Sequence, residues 1–279
     1  MANESTYTSM SALVNSIIDT ALLTASEQSV MAPLVRSFND SNSSTTRIWA
    51  QYTGGTIATI TEATDLAMQA FTPAAAGTLT PAVYGSNYFL TDRRINSDPF
   101  GARADAGADL GRLMAVNVDS KLTGLFSSLS GGTVGTAGGT LTWANIMRAS
   151  AYIKTNYGPA PYVCVLHPVQ WYYLTSVASS VPTLMQSEKI KDSVVGSFYG
   201  GSFGGIDFFV DANITSGTAA VGGMFSRDAI ALDVRQPFKI ELQRDASRGG
   251  GGWELISTME FAYGVYRPTF GCNLVGTSS

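Results

Sequence analysis

His167 is the only histidine in the 279-residue chain, and that limits what chemistry the side chains could do. A single imidazole excludes multi-histidine metal sites, and any Ser-His-Asp relay would have to run through this one residue. It lies between the apolar run Tyr162-Val-Cys-Val-Leu166 and Pro168, at a strand end where capping or another structural role is the ordinary one. No Walker loop and no dinucleotide fingerprint occurs. The glycine-rich stretch Gly200-Gly-Ser-Phe-Gly-Gly205 precedes a strand, where a phosphate loop should precede a helix. Glu254 and Glu260 read as members of solvated strand faces, and no two acids fall into an apolar pocket at a defensible spacing. Cys164 and Cys272 sit in apolar strand-like contexts and are predicted to be buried thiols, not a disulfide. Nothing here asks for catalysis, a metal or a cofactor.

Composition points instead toward contact. Charged residues make up 14% of the chain and apolar residues 45%, against about 25% charged in an average soluble domain. Much of the surface is therefore expected to be covered in the working state. The net charge of −4 and the lack of like-charge runs argue against bulk attraction to nucleic acid or an anionic membrane. No basic residue precedes Arg36 and no apolar run reaches membrane-spanning length, so neither signal peptide nor transmembrane segment is expected. The expected compartment is a cytoplasm.

The order of segments between Arg47 and Leu129 carries the most information. In Arg47-Ile-Trp-Ala-Gln-Tyr52, Ile48, Ala50 and Tyr52 alternate with Arg47, Trp49 and Gln51, the period of a strand. The chain turns over Gly54-Gly55, continues as Thr56–Thr61, and returns as Val83-Tyr84 and Tyr88–Asp92. A two-stranded ribbon is marginal in water, because ordering it costs more than its few contacts return. This arm is therefore expected to lie on a neighbouring subunit, with Trp49, Tyr52 and Phe71 as the aromatics that gain burial there. Arg93 and Arg94 at its root are candidates for inter-subunit ion pairs with Glu62 or Asp65. One long amphipathic helix follows, capped by Ser97 or Asp98 with Pro99 in its first turn. Its stripe is Leu110, Leu113, Met114, Asn117, Lys121, Leu122 and Phe126, and its length is on the order of 45 Å.

Upstream, Met10 to Leu22 shows helical spacing, and the capping box Thr24-Ala-Ser-Glu27 restarts a helix through Val30-Met31. The polar run Asp40–Thr46 reads as a hinge. Downstream, after a glycine-rich connector at Gly131–Gly139, come a helix at Thr142–Tyr157, a strand at Tyr162–Leu166 and a helix at Pro168–Ala178. Strands follow at Ile206–Val210, Ala219–Phe225 and Ala229–Val234. A long hairpin of Phe238–Arg244 with Gly252–Tyr263 has a glycine-rich tip, and a strand at Thr269–Val275 closes the chain.

This order resembles the tailed-bacteriophage major capsid proteins of the Hong Kong 97 type. Tyr84-Gly-Ser-Asn-Tyr-Phe-Leu-Thr-Asp92 looks like the returning strand of that family's extended loop, and Glu62 to Thr80 looks like the loop's tip. Tyr162-Val-Cys-Val-Leu-His-Pro168 and Gly205-Ile-Asp-Phe-Phe-Val-Asp211 are similar to its axial domain. Met224-Phe-Ser-Arg-Asp-Ala-Ile230 with the following hairpin is similar to its closing half.

The resemblance implies an α+β, Hong Kong 97-type fold. Residues 1–46 would form an N-terminal arm and 47–95 an extended β-loop. Residues 96–140 and 236–267 would form a peripheral domain, and 141–235 with 268–279 an axial domain. It implies a non-catalytic subunit of an icosahedral shell that self-assembles into pentamers and hexamers around double-stranded DNA, without sequence-specific binding. Assembly would take place in the host bacterial cytoplasm, with a separate scaffolding protein, a portal and a possible cement or decoration protein. No cofactor, metal or membrane is implied. Gly54, Gly55, Gly250 and Gly251 would act as flexible turns. Some family members cross-link a lysine of the extended loop to a neighbour's asparagine. Lys121 is the first lysine here and lies beyond the arm, so that bond is expected to be absent. Encapsulin nanocompartments share the fold and enclose enzyme cargo, so the fold alone does not decide function. A β-rich adhesin module and a hydrolase built on His167 are the remaining readings.

Overall fold

The computed structural model describes residues 29–39, 46–52, 55–63, 65–71, 73–97, 101–176, 199–247 and 250–279. The helices read before residue 29, most of the 40–46 hinge, Gly54, Asp98 and Pro99 lie outside the described residues. The strands are β1 (Arg36–Phe38), β2 (Arg47–Tyr52), β3 (Pro73–Leu79), β4 (Ala82–Thr91), β5 (Thr133–Gly135), β6 (Tyr162–Leu166), β7 (Tyr199–Phe203), β8 (Ile206–Val210), β9 (Ala220–Ser226), β10 (Ile230–Asp245), β11 (Gly252–Val265) and β12 (Gly271–Gly276). The helices are α1 (Asp92–Ser97), α2 (Ala102–Thr123), α3 (Trp143–Thr155) and α4 (Pro168–Ser176).

Tyr162-Val-Cys-Val-Leu166 is apolar at every position and buried at every position, as a strand covered on both faces must be. It lies inside a six-stranded sheet ordered β5-β12-β9-β6-β8-β7. Trp143, Ile146, Ala149 and Ile153 of α3 pack on one face, against Cys164, Leu166, Phe208, Met224, Cys272 and Leu274. Val163, Val165 and Phe225 point the other way, onto Val118, Leu122 and Phe126. Gly223 makes room for the Phe126 ring: a Cβ there would fall 2.6 Å from a ring carbon. Both thiols are free and buried. Burial pushes the Cys272 thiol up to about 11 and raises that of Cys164 as well, which makes both poor nucleophiles near neutrality.

The second sheet has the order β1-β10-β11-β4. The sequence reads two strands, at Ala229–Val234 and Phe238–Arg244, where the structure has a single strand of 16 residues. Pro237 has no N–H for the ladder, and register shifts between Val234 and Lys239 absorb it. β4 pairs with β11 from Ala82 to Thr91. It therefore belongs to the body's sheet, whereas the sequence reading assigns it to the arm.

α2 has 22 residues, about 33 Å, and a five-residue 3-10 turn, Gly124–Ser128, extends it. With the 3-10 turn at about 2 Å per residue the whole comes to about 43 Å, close to the length expected, but its N-cap is Gly101 at φ 84°, not Ser97 or Asp98. Leu110, Met114, Val118 and Leu122, four residues apart, form its buried stripe. Leu113, assigned to the stripe on sequence, is exposed. The Tyr88 hydroxyl donates to Asp109, which also accepts from Arg112 at 2.7 Å. This ties β4 to α2.

Gly200–Gly205, read as a loop, is mostly strand β7, and Gly204-Gly205 (φ 60° and 79°) makes the tight turn into β8. The sequence reading finds no Gly-x-Ser-x-Gly hydrolase elbow, yet Gly200-Gly-Ser-Phe-Gly204 carries that spacing. Ser202 stands on a hairpin, however, not on the strand-to-helix turn that such a nucleophile needs. His167 precedes α4, and its Nδ1 accepts from the Val169 N–H at 3.2 Å, the capping role its position suggests. Burial lowers its pKa.

Candidate assembly surface

β2 and β3 form a two-stranded ribbon, paired from Arg47↔Leu79 to Tyr52↔Pro73. Its base is seated on the body. Leu79 is fully buried against Ala231 and Ala262, with Phe38, Trp49 and Tyr266 around it. The Arg47 guanidinium donates to Asp233 Oδ2 at 2.9 Å, and Arg235 approaches the same oxygen at 3.0 Å. Asp233 is wholly buried and the Arg47 side chain is about three-quarters covered, so the ion pair at the root of the ribbon is largely shielded from water. Arg47 also stacks over Phe38, 4.3 Å from the ring centre.

Beyond that base the character reverses. Every described residue from Gly55 to Phe71 is exposed. Ile57 and Met68 are as open as in an extended chain, at 103% and 100%, and Ile60, Leu66 and Phe71 are also exposed. Tyr52 and Phe71 stack face to face at 4.4 Å, covering one face each and leaving the rest to solvent. The two limbs are held together by Gln69, whose amide donates to the Thr56 carbonyl at 2.6 Å and accepts from the Thr56 N–H at 2.8 Å. Isolated exposed apolar residues are ordinary, but a contiguous set on one projecting element marks a contact surface.

The residues predicted for contact divide between base and tip. Tyr52 and Phe71 face solvent, and Glu62 and Asp65 are exposed in the distal loop. Arg93 and Arg94 lie on α1 and, with Thr91 and Ser97, line an open pocket of about 480 Å³. Among the described residues neither makes an ion pair with Glu62 or Asp65 within the subunit; the ion pair at this end is Arg244 with Asp92, at 2.8 Å. Gly250 and Gly251 take left-handed conformations (φ 98° and 88°) at the hairpin tip, and Gly55 lies beside Gln69. Trp49 departs from its predicted place. It packs on Tyr266 with ring centres 5.0 Å apart, so it belongs to the base and not to the free face. The sequence reading also passes over Asp233 and Asp119, two fully buried acids; Asp233 is a lone acid inside the apolar run Ile230–Val234, whereas Asp119, in Asn117-Val-Asp-Ser-Lys121, carries no such signal.

The position of Trp49 fixes a test. Trp49→Ala should lower subunit stability by about 2 kcal/mol, through lost stacking and burial. Trp49→Phe should be close to neutral, because it keeps a ring and removes an indole N–H that is buried without a partner among the described residues. Equal loss in both variants, measured by urea unfolding, would contradict the packing against Tyr266.

A family model described as phage capsid protein matches residues 74–274. No curated protein matches the sequence. Solved capsids share the fold at low identity. The capsid of a native GTA particle aligns with a TM-score of 0.67 at 12% identity, over 91% of each chain. The structure titled Mycobacterium phage Che8 gives 0.65 at 14%, over 88% of this chain and 90% of that one. A virus-like particle from Pyrococcus furiosus gives 0.61 at 12%, over 93% and 98%.

Proposed function

The chain belongs to the phage capsid protein family and is a structural capsid subunit of a bacteriophage virion; on that premise we propose that the loop beyond the ribbon's base, residues 55–71, is the contact that joins one copy to the next in the shell. The observation that carries this reading is the run of exposed apolar side chains on a loop whose root is pinned by a buried ion pair. A fixed root aims the loop, and the bare tip gains burial only on another surface. Self-assembly into a shell follows from the family. Pentamers and hexamers, enclosure of double-stranded DNA, a scaffolding protein, a portal and a cement protein belong to the proposal, as does assembly in the host cytoplasm. The domain division at residues 46, 140, 235 and 267 is likewise part of it, with the extended loop ending before β4, which pairs with β11 in the body's sheet.

The proposed subunit works without catalysis. His167 is occupied as a helix cap and the thiols are buried. With no lysine before Lys121, shell strength would rest on noncovalent contacts or on a cement protein. Electron microscopy with light scattering, on the purified chain alone and co-expressed with its neighbouring genes, tests the reading. Closed shells or capsomer rings are expected. DNA inside distinguishes a phage head from a compartment holding protein cargo, and a monomer in every condition would overturn the proposal.

A further inference from the structure

Asp119 is a buried acid that the shell reading leaves unused. It lies on the packed side of α2, fully inaccessible, and three donors from one short segment converge on it. Ser29 Oγ donates to Oδ1 at 2.9 Å, the Val30 N–H to Oδ2 at 2.8 Å and the Met31 N–H to Oδ1 at 3.2 Å. These bonds hold the turn that precedes β1, where Met31 and Val35 enter the core. A second buried acid stands near. Asp211, just past β8, is 1% exposed. Its Oδ1 accepts from the Asn213 N–H at 2.8 Å, and its Oδ2 is buried without a partner among the described residues.

We propose that Asp119 is a pH-linked clasp, which holds the Ser29–Met31 segment on α2 more tightly in mild acid and less tightly above neutrality.

The groups facing the clasp are few. Ser29 and the two N–H donors come from the turn, Asp211 from the end of β8, and His167, beyond Asp211, from the start of α4. His167 is itself held toward neutrality by burial. Among the described residues neither acid forms an ion pair with Lys or Arg. Burial raises Asp119 to about 6, the charge of Asp211 adds to the rise, and the donors at Val30, Ser29 and Met31 oppose it. Asp211 is raised as well, first by burial. The sign follows from linkage. With the segment docked, Asp119 binds its proton more tightly than when the segment lifts and admits water. Docking therefore takes up a proton, is favoured as pH falls toward the ordinary carboxylate range, and loses that support as pH rises through about 6.

Hydrogen exchange of the Val30 and Met31 amides in the full-length chain, corrected for intrinsic pH dependence, tests the clasp. Protection is expected to rise roughly tenfold or more between pH 8 and pH 5. In Asp211→Asn, which removes the neighbouring charge and leaves the three donors in place, the midpoint should move to lower pH. In Asp119→Asn the pH dependence should vanish. Protection that is constant between pH 8 and 5 in the parent chain, or an unchanged midpoint in a folded Asp211→Asn variant, would overturn the proposal. The parent-chain result decides the matter even if Asp119→Asn fails to fold.

Discussion

Met68→Asp combined with Phe71→Asp is expected to abolish closed shells while leaving the subunit folded, its melting temperature within about 2 °C of the parent. Met68 is fully open and Phe71 three-quarters open in the subunit, so neither side chain contributes much to its stability. Burying both against a neighbour would return about 1.5–3 kcal/mol each. Two unpaired carboxylates in the same place would oppose contact by several kcal/mol per subunit. Every copy in the shell meets that penalty, so a moderate effect on one contact becomes an all-or-none effect on closure. Sedimentation with circular dichroism provides the check. Normal shells from the double variant would remove the loop from the interface, and an unfolded subunit would show that these side chains support the monomer instead.

The parts of the fold legible in the sequence are those where a local pattern and the tertiary environment agree. Tyr162–Leu166 is apolar throughout, and its neighbours in space are apolar on both sides; composition suffices to identify such a strand. α3 was equally legible, with Thr142 accepting from the Asn145 N–H at its start. The failures share a cause, which is that pairing partners are remote in sequence. Val83 to Thr91 alternates like an arm strand, and nothing local says that its partner is β11, more than 150 residues on. Pro237 breaks the local pattern of β10 without breaking the strand, because the ladder shifts register around it. Sequence places Trp49 among the contact aromatics because its own strand offers it nothing, while Tyr266 arrives from the far end of the chain. For the contact surface, the sequence reading names Tyr52, Phe71, Glu62 and Asp65, which are exposed in the subunit, but it takes Thr56–Thr61 for a strand, where the structure has none, and does not find the returning strand β3. The base of the ribbon depends on Asp233, and sequence cannot show that two arginines converge on it.

Asp233→Ala is expected to destabilise the subunit by about 3–5 kcal/mol, the range found when one member of a buried ion pair is removed. Asp233 is wholly buried and the Arg235 side chain is 4% exposed, so the variant keeps a guanidinium in the interior after taking away the carboxylate it approaches. Arg47→Met should cost only about 1 kcal/mol. The Arg47 side chain is 24% exposed, methionine preserves apolar length beside Phe38, and Asp233 retains Arg235. The two variants therefore separate body from arm. Asp233→Ala should lower the melting temperature of the whole subunit. Arg47→Met should leave that temperature nearly unchanged, speed amide exchange in β2 and β3, and lower the yield of closed shells, because a loop whose root swings loses its aim. A double-mutant cycle between the two positions, read by urea unfolding, should give a coupling of about 1 kcal/mol or more. Strict additivity would mean that the 2.9 Å contact does not hold the ribbon, and the aim of the tip would then rest on Leu79 and Trp49 alone.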